Sequence, residues 1–343
     1  MILVDIKAMR ATAKETMKGS CRVCPICNGR ACAGEVPGMG GTGTGESFTE
    51  NVRALASIKL NMRVVHDALQ PDTTLEIFGQ KLKTPILGAP ITGSAINAGG
   101  ALTELEMVTA LVAGSQQAGS LGWIGDPANA SMYEDGLAAM RVAGQGIAII
   151  KPRIDSQEIL ALFKLAEEAG AVALGVDLDG AGLVTMALKG QPVGPKTKAQ
   201  LKELIEAISL PFIVKGIMTA DEAIKCVKAG ASAIVVSNHG GRVLDHTPGA
   251  ADVLPEIVKA VKGKLTILVD GGIRSGADVL KLLALGADGV LIGRPLMVAA
   301  YGGGTEGVQT LIEKYTAELR AAMILTGCQS LKDINPDVLF KRK

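Results

Sequence analysis

The chain has 343 residues, with 35 Lys and Arg against 34 Asp and Glu and a formal net charge of +1. Neither a basic run nor an acidic tail breaks that balance, so nucleic acid and anionic membrane surfaces are excluded as expected partners. Apolar stretches are strand-sized, far from the roughly 18 uninterrupted apolar residues of a membrane span. Residues 1–18 carry Asp5 and Glu15 and lack the apolar block of a secretory signal, so the expected location is the cytoplasm.

The chain opens on a segment unlike the rest. Cys21, Cys24, Cys27 and Cys32 form C-x-x-C-x-x-C-x4-C and hold four of the six cysteines. That density, without a secretory signal, points to metal rather than disulfides. The first three spacings are those of a cubane iron-sulfur run, whose fourth step is ordinarily x3-C-P. Zinc sites favour two C-x-x-C pairs set further apart. A [4Fe-4S] cluster, a zinc ion and free redox-active thiols therefore all stay open. Cys226 reads as packing on a helix, and Cys328 carries no partner signal.

Next comes Gly38-Met39-Gly40-Gly41-Thr42-Gly43-Thr44-Gly45. It lacks the Gly-Lys-Ser/Thr ending of a nucleotide phosphate loop, which excludes an ATP reading. A flexible hinge or lid is the expectation for this stretch, followed by a lead-in helix over 50–67. Residues 1–84 are thus read as an extension and 85–343 as the catalytic domain.

From residue 85 onward, short apolar runs alternate with helix-period segments. Strands are expected at 85–90, 121–125, 147–152, 172–178, 211–217, 233–237, 266–270 and 289–293. Helices are expected at 156–169, 197–208, 219–229 and 275–285. Their starts carry Ser156, Thr219 with Glu222 as a capping box, and Ser275 with Asp278; Gly170, Gly230, Gly263 and Gly286 stand where helices should stop. Eight such units predict an α/β fold of the TIM (β/α)8 barrel type with an N-terminal Cys-rich extension. A doubly wound sheet would carry G-x-G-x-x-G after its first strand, and Pro90-Ile91-Thr92-Gly93-Ser94 does not match.

Three strand ends bear chemistry: Ser237-Asn238-His239-Gly240-Gly241-Arg242, Asp270-Gly271-Gly272-Ile273-Arg274 and Gly293-Arg294-Pro295. In a barrel these loops share one rim. An imidazole three residues from a guanidinium, around a Gly-Gly step, suits removal of a proton from a carboxylate-bearing substrate.

These motifs, with Leu210 through Gly216 ahead of them and Leu325-Thr326-Gly327-Cys328 behind, resemble the FMN-dependent 2-hydroxy-acid oxidase and dehydrogenase family, which includes glycolate oxidase, lactate oxidase and flavocytochrome b2. The likeness runs from about residue 50 to 331 and is densest over 210–295. It implies an enzyme that oxidises a small 2-hydroxy acid to the 2-oxo acid. His239 would be the base, Asp177 the carboxylate orienting it, and Arg242 the partner of the substrate carboxylate. It further implies Lys215 beside the flavin ring, Asp270, Gly272, Arg274, Gly293 and Arg294 around the ribityl and phosphate groups, and Ser237 with Ala89-Pro90-Ile91 against the isoalloxazine. A homotetramer is also implied.

Departures from the family pattern lie in the substrate pocket. Its two tyrosines fall near Pro37 and on Arg153, a flavin glutamine is replaced by Lys151, a threonine by Gly175, and the loop between Asp177 and Thr197 is short. Arg153 is therefore expected to bind substrate, Lys151 to touch the flavin, and the substrate to be more anionic than lactate or glycolate. His246 reads as ordinary loop, and His66 as helix surface. The alternative is another flavin-barrel reaction on an anionic substrate, as in FMN-dependent isopentenyl diphosphate isomerase. On the first reading the four cysteines would serve as an electron port to a redox partner protein.

Overall fold

The computed structural model describes residues 4–340 except residues 184–185 and 187–188. Eight parallel strands form the barrel: β3 (Ile86–Gly88), β4 (Trp123–Gly125), β5 (Gly146–Ile150), β6 (Ala171–Asp177), β7 (Phe212–Ile217), β8 (Ala233–Val236), β9 (Thr266–Val269) and β10 (Gly289–Ile292). Their order is β3-β10-β9-β8-β7-β6-β5-β4. A hydrogen bond from Gly88 N to Leu121 O at 3.0 Å links the two edges. Alternation explains the apolar runs. One set of strand residues (Leu87, Trp123, Ile149, Ile213, Val235, Leu268, Leu291) fills the barrel, while their neighbours (Ile86, Ile124, Ile150, Val214, Val236, Val269, Ile292) pack beneath the surrounding helices. Both faces are buried, so the strands read as continuous apolar runs. An antiparallel hairpin, β1 (Leu75–Ile77) and β2 (Gln80–Leu82), adds Ile77 and Leu82 to the inner cluster.

The helices are α1 (Ile6–Thr16), α2 (Glu46–Ser57), α3 (Ser94–Ala98), α4 (Glu104–Gln117), α5 (Ala130–Ala143), α6 (Ser156–Glu168), α7 (Lys198–Glu206), α8 (Ala220–Ala229), α9 (Ala250–Val261), α10 (Gly276–Ala284) and α11 (Arg294–Ile324). Ser275 caps α10 by accepting from Asp278 N, as its sequence suggests. Two expected caps differ. Asp155 rather than Ser156 caps α6, accepting from Gln157 N. Thr219 makes no cap bond: its hydroxyl donates to Asp221, and Glu222 is drawn to Lys225. Among the described residues no helix is long and apolar enough to cross a membrane.

The extension is not an appendage. Met9 and Ala13 of α1, with Met17 at its end, are buried in the main core. Thr16 Oγ1 donates to Tyr301 O at 3.1 Å, and a Cβ on Gly302 would fall 2.0 Å from Met9 O, so α1 and α11 pack backbone to backbone. The lead-in helix begins earlier and ends sooner than expected, at Ser57. Beyond it the chain runs extended because the C-terminal strap offers it partners: Asn61 N donates to Val338 O, Arg63 N to Leu325 O and Asp72 N to Gln329 O, each at 2.8 Å. His66 accordingly lies off any helix. The glycine-rich segment 38–45 is pinned rather than hinged. Thr42 N donates to Gly241 O at 2.9 Å, Arg294 Nη2 to Gly40 O at 2.7 Å, and Thr44 Oγ1 to Asp245 at 2.8 Å. The Thr44 contacts also hold the Asp245 carboxyl at about 2, outweighing its desolvation. Its glycines are there for close approach. A Cβ on Gly40 would lie 1.9 Å from Cys32 O, and one on Gly43 2.4 Å from Asp245.

Candidate active site

The strand ends meet around a cavity of about 380 Å³. Ala89, Pro90 and Ile91 line it after β3, Lys151 after β5 and Lys215 from β7. His239 and Arg242 contribute from the β8 loop, Asp270, Gly272 and Arg274 from the β9 loop, and Gly293 and Arg294 after β10. Apolar side chains of Ile96, Met132, Leu183 and Met186 complete the mouth, with Lys189 among them.

His239 has φ +57°, a left-handed conformation unusual for a residue with a side chain. Its N–H donates to Ser237 Oγ at 3.0 Å, and Gly240 and Gly241 follow with positive φ. This turn aims the imidazole at the end of β6. Nδ1 lies 2.9 Å from Asp179 Oδ1 and 3.5 Å from Asp177 Oδ2. A carboxylate can only accept, so Nδ1 carries the hydrogen; among the described residues Nε2 has no partner. Asp177 is closed in by two ammonium groups, Lys151 on Oδ2 and Lys215 on Oδ1 at 2.9 Å. Burial works to raise the Asp177 carboxyl, but the two lysines and His239 hold it well below the ordinary value. Lys215 is wholly buried, which opposes its charge, yet Asp177 and Asp179 keep it raised and protonated.

Arg242 donates to Gly38 O, to Gly40 O at 3.3 Å and to Asn97 Oδ1 at 2.9 Å. Arg294 donates to Met39 O, Gly40 O and Gly240 O, and stacks on Phe48 with 3.7 Å from Cζ to the ring centroid. Burial first, and then repulsion from Arg242 and Arg274, lowers Arg294 to about 9. Among the described residues none of these three guanidiniums meets a carboxylate; their partners are carbonyls, Asn97 and one thiol. Asp270 is the complement: buried, raised by that burial against the pull of Lys215, and, among the described residues, with Oδ1 lacking any hydrogen-bond partner. An orphaned acceptor beside Lys215 and unpaired arginines fits a group bearing both hydroxyls and a phosphate, as FMN does.

Two expected site residues stand elsewhere. Arg153 does not line the cavity. Its guanidinium is buried and forked onto Asp126, at 3.1 Å and 2.7 Å, with Glu158 3.7 Å away, so it is a structural pair across the ends of β4 and β5. Ser237 also lies behind the cavity wall, where it supports His239 N. Lys151 does reach the cavity, but its ammonium is engaged by Asp177. Sequence reasoning missed Asp179, Phe48, Asn97 and Asn51. Asn51 donates to Asn238 Oδ1 at 2.7 Å and accepts from Ala250 N at 3.0 Å, and Gly271 and Gly272 close onto it. Asp179 had a readable signal, standing two residues past Asp177 in Val-Asp-Leu-Asp; the others are set by tertiary approach alone.

A second cavity, of about 270 Å³, is lined by all four of Cys21, Cys24, Cys27 and Cys32. Met39, Arg274, Arg294 and Pro295 line both cavities and form the wall between them. Arg274 donates Nε to Cys27 O at 3.1 Å and Nη2 to Cys27 Sγ at 3.3 Å. Val23 N donates to Cys21 Sγ at 3.4 Å. Among the described residues, the one set of three or more His, Cys, Asp or Glu with ligand atoms all within 4.8 Å of one another is Asp177, Asp179 and His239, so no three of the thiols crowd that closely. Cys226 is buried in the packing of α8, as its sequence position suggests.

Comparison with known proteins agrees with this geometry. The sequence profile described as FMN-dependent dehydrogenase matches residues 38–189 and 183–341, leaving the four cysteines ahead of the match. The chain is 34% identical over 340 residues to L-lactate oxidase from Nostoc sp., covering 87% of this chain and 91% of the relative. It is 32% identical over 328 residues to glycolate oxidase from Spinacia oleracea, covering 84% and 86%. Among solved structures it is similar to mandelate oxidase, with a TM-score of 0.82, 29% identity and coverage of 99% and 98%. A mandelate oxidase variant solved with an FMN adduct superposes at a TM-score of 0.74 with 34% identity, covering 91% and 98%.

Proposed function

The chain belongs to the FMN-dependent dehydrogenase family, whose relatives here are 2-hydroxy-acid oxidases, and from that premise we propose that it oxidises a small 2-hydroxy acid at C2 with His239 as the base. The observation that carries the reading is the imidazole held through Nδ1 by Asp179, beside Arg242 in a cavity where, among the described residues, Asp270 Oδ1 lacks a partner. The C2 carbinol must lose two electrons and two protons. His239 takes one proton at Nε2, and the buried carboxylates stabilise the imidazolium so formed. Arg242 receives the substrate carboxylate on its planar fork. FMN, which Lys215, Asp270, Arg274 and Arg294 would hold, would supply the acceptor for the two electrons and the remaining hydrogen. With Arg153 paired to Asp126, the added anionic group once expected of the substrate has no cation of its own there. The walls of Ile96, Met132, Leu183 and Met186 suit an apolar tail on the substrate, with Lys189 the one cation among them. Turnover of a panel of 2-hydroxy acids with a dye acceptor, scored as 2-oxo acid, tests this. Activity on an allylic diphosphate and none on the panel would favour the isomerase alternative instead.

The four cysteines are proposed to hold a [4Fe-4S] cluster that takes electrons from the flavin, with oxygen a poor acceptor and a protein partner downstream. Zinc, at about 2.3 Å from each thiolate, gathers its sulfurs to about 3.8 Å apart. The wider thiol spacing, the cavity volume and the N–H donors to Cys21 and Cys27 sulfur support a cubane instead. Visible absorbance of anaerobically purified protein should show cluster bands beside flavin bands, and Cys24→Ser should remove only the former. One equivalent of zinc and no iron would overturn it. A cytoplasmic site, suited to six free cysteines, and a homotetramer complete the proposal. The exposed apolar run of Met62, Val64, Val65 and Leu69 supports self-association, which light scattering of the purified protein checks.

A further inference from the structure

Sequence resemblance assigns the orienting of His239 to Asp177, yet the Asp177 carboxylate is engaged elsewhere. Lys151 sits on Oδ2 and Lys215 on Oδ1 at 2.9 Å, and the remaining approach of Oδ2 to His239 Nδ1 is 3.5 Å. That is beyond the 2.7–3.2 Å range of a good N–H to oxygen bond. Asp179 stands within it. Its Oδ1 is 2.9 Å from Nδ1, while its Oδ2 faces Lys215 at 3.4 Å.

The backbone makes room for this second carboxylate. Pairing of β7 with β8 slips between Lys215 and Ile217, and Gly216 at the slip has φ +99°. A Cβ there would lie 2.5 Å from Asp179 Cβ and 2.6 Å from Asp179 N, so only glycine lets the turn after β6 settle against β7. Asp179 is also the residue that balances Lys151. With both present, two ammonium groups face two carboxylates and the neutral imidazole adds nothing; without Asp179 the second lysine would oppose protonation of His239. Asp177, Asp179 and His239 are close enough to hold a metal ion, but their carboxylate oxygens already accept from lysines, which would repel one.

We infer that Asp179 is the positioning residue for His239, fixing its tautomer and stabilising its protonated form, and that Asp177 has become the anchor for Lys151 and Lys215. This rests on the reading of His239 as the base. The charged groups facing the imidazole are Asp177 and Asp179 after β6, Lys215 on β7, Lys151 after β5, Asp270 after β9 and Arg242 on its own loop.

Anaerobic flavin reduction of the FMN-loaded protein by its 2-hydroxy acid, followed against pH, separates the roles. Asp179→Asn should keep FMN, slow reduction about hundredfold, and move the acid limb of the rate profile to lower pH, because a lost carboxylate makes the imidazole easier to deprotonate. Adding Lys151→Gln to that variant frees Asp177 to approach Nδ1 and should recover about tenfold of the rate. A merely structural role would move neither the acid limb nor the rescue. Should Asp179→Asn fail to fold, Asp179→Glu keeps the charge beside Lys215 but displaces the oxygen, and must show the same slowing. An unchanged rate and acid limb in either variant overturns the inference. His239→Ala separates the two ideas: if it is inactive while Asp179→Asn is normal, only Asp179 is misassigned, and if it is fully active the base reading itself fails.

Discussion

Two neighbouring regions handle buried charge in opposite ways. At the ends of β5, β6 and β7 every charge has its opposite: Lys151 and Lys215 face Asp177 and Asp179, with His239 on the same carboxylates. Across the cavity, among the described residues, Arg242, Arg274 and Arg294 find only neutral acceptors and the Cys27 thiol, and burial, then repulsion from the other two arginines, lowers Arg294 to about 9. The first region is electrically complete in the polypeptide alone, as a proton-handling site should be. The second is a wall between two cavities, which the proposed function fills with the flavin phosphate on one side and a thiolate-bound centre on the other. Compensation within the chain marks where protons move, and its lack marks where ligands sit.

The sharpest break of that contrast is at Lys215. Lys215→Met leaves Asp177 and Asp179 buried with one ammonium fewer, and removal of one member of a buried pair costs about 3–5 kcal/mol. Denaturant unfolding at pH 7 should show a loss in that range. Arg294→Gln breaks the other side. It removes charge-assisted bonds to the phosphate, about 1.5–3 kcal/mol, while relieving the repulsion among three guanidiniums. FMN affinity, read by fluorescence of released flavin, should fall about 10- to 100-fold with the apoprotein no less stable. The pH dependence sharpens the comparison further. Asp177 is held below its unfolded value, so its stabilising share is complete above the ordinary carboxylate pKa of about 3.9 and is lost only as pH falls through the lower folded value. Asp177 should therefore contribute no change in denaturant midpoint between pH 7 and pH 5, and Asp177→Asn should flatten the loss seen at more acid pH. The smallest effect is expected at Glu222, on the outer face of α8. Because Thr219 makes no capping box there, Glu222→Ala should change stability by less than about 0.5 kcal/mol in the same unfolding assay.

The barrel was legible because its strands are buried on both faces and its loops carry ordered motifs; all eight strands lie where the apolar runs predict. That Lys215, Asp270, Arg274 and Arg294 line one cavity was legible for the same reason, since each lies near or just past the end of a strand. What resisted reading was pairing between distant segments. Arg153 looks free in sequence, and only the approach of β4 to β5 shows that Asp126 takes it. The hinge expected at 38–45 is instead fixed by Arg242, Arg294 and Asp245, each some two hundred residues or more away in the chain. The handover from Asp177 to Asp179 depends on a difference between 2.9 and 3.5 Å that no spacing rule contains.

The central claim is that His239 is the base for oxidation of a 2-hydroxy acid beside bound FMN. Its most direct test is anaerobic rapid mixing of the FMN-loaded protein, wild type and His239→Ala, with the best substrate of the panel, following flavin absorbance. The account predicts bleaching in the wild type and a rate lower by about 10² to 10⁴ in the variant, with FMN content unchanged. Bleaching of the variant at the wild-type rate would contradict it.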